Sequence, residues 1–191
     1  DLRGVEADKK IRGAEKIITN TRCDVPEFVQ FREGSQPTFG KFESMAHQWL
    51  TLPAAYGFKL LNNDKDKIGM IHYRYQETFN GIPMEGTMYI VHVKNDRIVS
   101  MNGQLYNAVN AASSASMTEA DALNKALEFV HADVYRWQNP ANEKQIQYIK
   151  NDPAATWFPK GELFLAPVNN NFTSANYRLA YRFDVYADQP L

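Results

Sequence analysis

The stretch that decides the fold is residues 69–105, GMIHYRYQETFNGIPMEGTMYIVHVKNDRIVSMNGQL. Its first part alternates between mainly apolar and polar side chains, which is the period of two expected of a half-buried strand. One side of this strand carries Ile71, Tyr73, Tyr75 and Phe79, and the other carries His72, Arg74, Gln76 and Thr78. The following Asn80-Gly81-Ile82-Pro83 predicts a bend, because Gly adopts positive φ readily and Pro has no N–H to donate to a β-ladder.

Two more strands are predicted after the bend. Residues 87–93 alternate again, with Thr87, Tyr89, Val91 and Val93 on one side and Met88, Ile90 and His92 on the other. The short polar segment at residues 94–97 then predicts a hairpin into a third strand at residues 98–105. Three antiparallel strands joined by tight turns form a meander.

A helix is predicted just before the meander, at residues 38–52. Its apolar side chains recur three and four positions apart, which gathers them on one helical face. They are Phe42, Met45, Ala46, Trp49 and Leu50. Pro53 ends the helix, and a strand at residues 56–61 with a polar turn at residues 62–67 leads into the meander. We expect the helix to lie across the sheet.

The N-terminal residues predict less structure. Residues 16–18 and 27–31 indicate short strands that could extend the edge of the sheet. Residues 1–13 are dense in charge and carry little periodicity, which is typical of a mobile or loosely docked arm.

The second half of the chain predicts another helix followed by strands. Residues 107–116 are small and polar, which is typical of a linker. Ser116 and Glu119 match a capping box at the start of a helix over residues 117–132. The strands are predicted at residues 145–149, 160–167 and 177–185, the first of them on the weakest pattern.

The motif residues of the meander resemble a known family. The run from His72 to Gln76, the segment Phe79-Asn80-Gly81-Ile82-Pro83-Met84-Glu85-Gly86, and Tyr89, Val91 and His92 closely resemble the propeptide module of fungalysin-like and thermolysin-like zinc metalloproteases. The resemblance implies a non-catalytic pro-region from a secreted or cell-envelope (periplasmic) precursor. It also implies a cognate catalytic domain as the partner, with zinc bound there and no cofactor in this chain.

The second half resembles the PepSY domain that follows this module in such precursors, through Gly161-Glu162-Leu163-Phe164 and residues 179–185. We therefore predict an α+β fold of two small domains, each a helix packed on an antiparallel β-sheet in a cystatin-like arrangement. The predicted divisions are an N-terminal arm with edge strands (1–37), the propeptide-like domain (38–106), a linker (107–116) and the PepSY-like domain (117–191). We expect the last domain to be incomplete at Leu191, because the family pattern has one more strand.

The composition and motifs argue against several other functions. The formal charge is −1, from 21 basic and 22 acidic residues mixed along the chain, so no basic stripe indicates nucleic-acid binding. The apolar runs are shorter than the roughly 20 residues that a membrane helix needs, so membrane insertion is not expected. The four histidines lack the H-E-x-x-H spacing of a zinc protease. His72 and His92 could face each other across strands, but ordinary surface histidines are favoured over metal ligands.

Partner-binding or motif roles are predicted for His72, Arg74, Gln76, Gly81, Pro83, Glu85, Gly86 and Leu191. Two interpretations of Arg74, Gln76 and Glu85 remain: they fix the bend, or they contact a partner. Leu191 is included because a catalytic domain would follow it in the precursor.

Two functions from different classes follow. The first is the pro-region of a secreted thermolysin-like metalloprotease, acting as an inhibitor and intramolecular folding chaperone of its catalytic domain. The alternative is a free-standing peptide-binding or protease-inhibitor module of the cell envelope. A reading frame that continues into a domain with H-E-x-x-H would decide for the first.

Overall fold

A computed structural model describes residues 1–21, 23–106, 111, 114–172 and 176–189. The strands in this part are β1 (Leu2–Arg3), β2 (Ala14–Thr19), β3 (Pro26–Phe31), β4 (Tyr56–Lys65), β5 (Ile71–Phe79), β6 (Ile82–Pro83), β7 (Met88–Lys94), β8 (Arg97–Gln104), β9 (Val134–Tyr135), β10 (Glu162–Pro167), β11 (Tyr177–Arg182) and β12 (Ala187–Gln189). The helices are α1 (Val5–Lys10), α2 (Lys41–Trp49), α3 (Glu119–Val130) and α4 (Pro140–Lys150). This mixture of helices and antiparallel strands confirms the α+β class.

The chain divides into two compact units. The first unit is Asp1–Ala111 with Leu165–Arg178, and the second is Ala112–Phe164 with Leu179–Leu191. The expected linker at residues 107–116 lies largely outside the described residues.

The first unit is built on an eight-stranded sheet within the described residues. Its strands follow the order β1-β2-β3-β8-β7-β5-β4, and β6 pairs with the end of β5. The predicted meander is confirmed as β5, β7 and β8, which pair antiparallel. Tyr89, Val91 and Val93 of β7 are buried, whereas Ile90 and His92 on the opposite face are half-buried. The sheet therefore has one core face and one more open face, as the alternation predicts.

The turn between β7 and β8 shows how the sequence closes the hairpin. Asn95 and Asp96 both have positive φ, at 50° and 60°. Two consecutive residues with positive φ are what a type I′ turn requires, and its twist matches that of the strands. Asn and Asp tolerate this conformation better than other non-glycine residues.

Helix α2 covers the core face of the sheet. Phe42 is 1% exposed, and its ring lies 5.1 Å from the Tyr75 ring and 5.4 Å from the Phe58 ring. Trp49 packs on Phe31 of β3, with ring centroids 5.7 Å apart. These contacts confirm the prediction that the apolar stripe of this helix packs across the sheet.

Two local predictions in the first unit are wrong. Residues 1–13 are not a loosely docked arm, because they contain β1 and α1, and Ala7 and Ile11 are buried. These two residues are four apart, so one helical turn brings both to the core. The predicted polar turn at residues 62–67 begins too early, since β4 continues to Lys65 and pairs with β5 along that length. Cross-strand pairing here outweighs the low strand propensity of asparagine.

The second unit contains α3, α4 and the short pair β9–β12, with β10 and β11 divided between the units. The helix predicted at residues 117–132 is confirmed, but its N-cap is Thr118, whose side chain accepts from the Asp121 N–H. Ser116 is therefore not the capping residue. The strand predicted at residues 145–149 is wrong, because this segment belongs to α4. None of the helices in the described residues is long and apolar enough to cross a membrane.

We expect replacement of Phe42 by Ala to destabilise the first unit by about 3–5 kcal/mol, because the change leaves a cavity between α2 and the sheet. The matched control is Phe129→Ala on α3, where the side chain is 91% exposed; it should change stability by no more than about 0.5 kcal/mol. Urea unfolding monitored by circular dichroism measures both. Equal effects of the two variants would contradict the packing of α2.

Candidate partner-binding site

The bend that follows β5 has a defined backbone. Asn80 and Gly81 both have positive φ, at 50° and 79°, which confirms the prediction for Gly81. The chain then returns along β5, with Ile82 opposite Phe79 and Pro83 opposite Thr78. Gly81 is exposed, and a Cβ there would meet no atom within 4 Å. The requirement for Gly at this position is therefore one of backbone conformation rather than space.

The carbonyl oxygen of Met84 fixes the residues after the bend. It accepts a hydrogen bond from Gln76 Nε2 at 3.0 Å and another from Thr87 Oγ1 at 2.9 Å. The Met84 N–H donates to the Glu77 carbonyl oxygen at 2.9 Å. Met84 itself is fully buried, so both of its backbone polar groups are satisfied where water has no access.

Glu85 and Gly86 turn outward directly after this buried residue. The Glu85 N–H donates to the Leu165 carbonyl oxygen at 2.8 Å, whereas its side chain is exposed. Gly86 has φ of 78°, and a Cβ there would collide with the ring of Phe172. The hydrogen bond to Leu165 thus fixes the backbone of Glu85, while the Glu85 side chain is exposed to solvent.

The motif residues fall into two groups. Gln76, Gly81, Pro83, Glu85 and Gly86 lie around the bend. Arg74 is directed elsewhere: it forms an ion pair with Asp64 of β4 and a hydrogen bond with Asn62 Oδ1 at 3.4 Å. Leu191 lies outside the described residues.

His72 belongs to a polar network on the open face of the sheet. His72 and His92 are directly opposite each other on β5 and β7, and their Nδ1 atoms are 2.6 Å apart. His72 Nε2 lies 3.3 Å from Asp66 Oδ2, and His92 Nε2 lies 2.6 Å from Asn102 Oδ1. Partial burial lowers the pKa of His92, and the charges of His72 and Arg74 lower it further, against the opposing effect of Asn102.

Glu77 was not predicted from the sequence. It is fully buried, and its Oε2 accepts a hydrogen bond from the Tyr106 N–H at 3.0 Å. Within the described residues its Oε1 has no hydrogen-bond partner, and neither has the buried Tyr177 hydroxyl. Burial raises the pKa of Glu77 from 4.5 to about 8. The sequence alternation could have predicted this burial, because Glu77 lies two residues after Tyr75 and four after Tyr73 and therefore on the same face of β5.

An aromatic cluster in the second unit borders a groove of about 440 Å³, which Trp157 and Phe158 line. Trp137 stacks on Tyr135 with centroids 4.5 Å apart, and Arg136 lies over the Trp157 ring at 4.9 Å. Phe158 is 53% exposed and meets the Trp137 ring edge-on at 5.6 Å. These aromatic residues pack against each other and still leave an exposed apolar surface.

No group of three or more His, Cys, Asp and Glu side chains that could hold a metal ion occurs in the described part of the chain. The lone Cys23 is partly buried, and its Sγ lies 3.4 Å from the Leu105 carbonyl oxygen. Burial raises the pKa of this thiol, which disfavours the thiolate that binds metals.

We expect Gly81→Val to lower the free energy of unfolding by about 1–3 kcal/mol, because a β-branched residue is strained at positive φ. Gly81→Asn is the matched control, since Asn tolerates this conformation, and it should lose clearly less stability. Thermal unfolding of both variants gives the comparison. An unchanged melting temperature for Gly81→Val would refute the assignment.

Glu77 should make stability depend on pH. Its folded-state pKa is raised, so its stabilising contribution is complete below about pH 4.5 and is lost as the pH rises to about 8. We expect Glu77→Gln to remove a pH-dependent loss of up to about 5 kcal/mol over this range. The control is Glu85→Gln, an exposed position. If the free energy of unfolding changes equally with pH in the wild type and in Glu77→Gln, burial does not raise the pKa of this carboxyl and the prediction is wrong.

Comparison with known proteins places the bend inside a family motif. Residues 56–105 match the Fungalysin/Thermolysin Propeptide Motif, which covers β4 through β8. Bacillolysin from Bacillus amyloliquefaciens is 33% identical over 75 residues, which is 38% of this chain and 14% of that protein. Thermostable neutral protease NprT from Geobacillus stearothermophilus is 23% identical over 177 residues, 83% of this chain and 32% of that protein.

A third relative, hemagglutinin/proteinase from Vibrio cholerae, is 33% identical over 64 residues, 34% of this chain and 10% of that protein. The chain thus spans a third or less of the length of these relatives. The family motif covers β4 to β8, and the ordered bend lies within this segment. Residues 56–105 therefore carry the fungalysin/thermolysin propeptide motif, and these similarities support a propeptide of a thermolysin-like metalloprotease.

Proposed function

We propose that this chain is the inhibitory and folding-assisting pro-region of a secreted thermolysin-like metalloprotease. The observation that carries the proposal is the match of residues 56–105 to the propeptide motif. The relatives are proteases several times longer than the matched segment, as a precursor with a separate catalytic domain would be. The chain itself has no catalytic role in this proposal, and zinc belongs to the partner domain.

The geometry of the bend supports a binding role. A surface that is already ordered loses little conformational entropy when a partner binds to it. Here the backbone is held by the hydrogen bonds to the Met84 carbonyl oxygen and by the Glu85 N–H bond to Leu165. Gly81 and Glu85 remain exposed on this support. We propose that these residues, with Gly86 and Pro83, contact the catalytic domain.

The remaining motif residues take different roles in the proposal. Gln76 fixes the bend through Met84, and Arg74 ties β5 to β4 through Asp64. His72 acts within the sheet, on the open face. Leu191 lies closest to the active-site cleft of the partner, and the two halves of the chain form the propeptide-like domain (38–106) and the PepSY-like domain (117–191).

The chaperone role follows from kinetics. Secreted proteases persist because their unfolding is slow, and such folds can also be slow to form. A bound template that stabilises the folding transition state raises the folding rate without being needed afterwards. A pro-region whose ordered bend binds the catalytic domain can serve both as this template and as an inhibitor.

The inhibition assay tests the proposal with the 191-residue chain and the mature catalytic domain of its precursor. We expect inhibition by the wild type and no peptide hydrolysis by the chain alone, with or without added zinc. Glu85→Lys should weaken inhibition by about tenfold or more, because it reverses a charge at the proposed contact. Glu6→Lys, at another exposed carboxylate, is the control and should inhibit like the wild type.

The outcomes separate the function from the site. Turnover of substrate by the pure chain, or no inhibition by the wild type, would overturn the proposed function. Inhibition by Glu85→Lys equal to that of the wild type would keep the function and remove the bend from the interface.

A further inference from the structure

The open face of the sheet carries a row of four hydrogen-bonded side chains. The row runs from Asp66 through His72 and His92 to Asn102, with the distances of 3.3, 2.6 and 2.6 Å given above. His72 and His92 lie on the adjacent strands β5 and β7, and Asn102 lies on β8. Asp66 belongs to the turn after β4, where its other oxygen accepts from the N–H groups of Ile68 and Met70. The row therefore connects three strands with one turn.

The number of protons that this row can hold follows from its geometry. A carboxylate only accepts, so His72 Nε2 donates to Asp66, and His92 Nε2 donates to Asn102 Oδ1. Two Nδ1 atoms at 2.6 Å require one donor and one acceptor. The observed arrangement thus holds three protons on four ring nitrogens, which is one positive charge. If the Asn102 amide is turned so that its nitrogen donates to His92 Nε2, two neutral rings also satisfy all of these hydrogen bonds. No arrangement satisfies two charged rings, because both Nδ1 atoms would then donate.

We propose that His72 and His92 form a pH-sensitive switch that joins β5, β7 and β8 while the pair holds at most one positive charge, and that separates when both rings are protonated. His92 is the ring that resists the additional proton, because it lacks a carboxylate neighbour. Its pKa is lowered by burial and by the charges of His72 and Arg74.

The charged groups around the pair are unevenly placed. Asp66 contacts His72, and Asp64 is directly opposite His72 on β4 but is engaged by Arg74. Next to His92, β8 contributes Ser100 and Asn102, which do not titrate in this range, and β7 carries Lys94 two residues further on. Both acidic groups thus lie on the His72 side, so a second positive charge on His92 has no compensating carboxylate.

The direction of the pH effect follows from the lowered pKa. In the unfolded chain His92 takes up its proton near pH 6.5, whereas the folded chain binds it only at lower pH. Stability is therefore lost as the pH falls below about 6.5, by up to about tenfold in the unfolding equilibrium constant per pH unit. The consequence for the precursor rests on the proposed function: acidification would loosen the propeptide motif and weaken its hold on the protease.

Nuclear magnetic resonance of the ring nitrogens of the 191-residue chain between pH 8 and pH 4.5 tests the shared proton. We expect His72 and His92 to show the same two transitions, since coupled protons belong to the pair. His131, at the C-terminal cap of α3, lies outside the pair and is the internal reference. Separate single transitions for His72 and His92 would overturn the proposal.

Unfolding of the chain at pH 7 and pH 5 tests the consequence. His92→Asn places a non-titrating amide near the Nδ1 position, so it should lose less stability on acidification than the wild type. His131→Asn is the matched control and should follow the wild type. An equal loss for His92→Asn and wild type would overturn the switch. If His92→Asn does not fold, the resonance titration decides alone. If His72 and His92 titrate as a pair but the chain does not inhibit the protease, the switch is supported and the proposed function is overturned.

Discussion

The hydrogen bonds to the carbonyl oxygen of Met84 are the interaction on which the propeptide motif depends. Gln76 reaches this oxygen from the open side of β5, and Thr87 reaches it from the segment that leads into β7. Because Met84 is fully buried, losing either donor would leave a weakly satisfied acceptor away from water. The same residue pairs with Leu165 in a parallel bridge. One peptide unit therefore holds β5, the bend and β7 in a fixed arrangement, and the exposed Glu85 follows it directly.

Much of this arrangement follows from local sequence rules. The period of two identifies β5 and β7, and Asn80-Gly81 identifies the bend because both residues tolerate positive φ. The spacing of Phe42, Ala46 and Trp49 identifies the face of α2 that is buried. These features are predictable because each depends on residues close together in sequence.

Other features depend on long-range partners that the sequence does not display. Glu77 lies on the apolar side of β5, and its buried carboxyl accepts a hydrogen bond from the backbone N–H of Tyr106, 29 residues away in sequence. The row from Asp66 to Asn102 requires the register between three strands. In α4, the isoleucines 146 and 149 favour a strand, whereas Asn139 and Pro140 supply the start of a helix. Capping outweighed β-propensity in that segment.

Two titrating groups give the first unit opposing responses to pH. Glu77 is buried without a countercharge, so its ionisation at high pH destabilises the fold. His92 is half-buried beside another histidine and an arginine, so its protonation at low pH does the same. Both lie on strands of the propeptide motif. The two effects therefore oppose each other between about pH 4.5 and pH 6.5, and above that range the loss from Glu77 continues up to about pH 8.

The central claim is that the chain acts by presenting a rigid bend to a protease domain. Hydrogen–deuterium exchange of the chain, alone and in complex with its catalytic domain, tests this most directly. The account predicts slower amide exchange at residues 80–86 in the complex, with little change in β2 (Ala14–Thr19) on the far side of the sheet. Formation of the complex with unchanged exchange at residues 80–86 would contradict it.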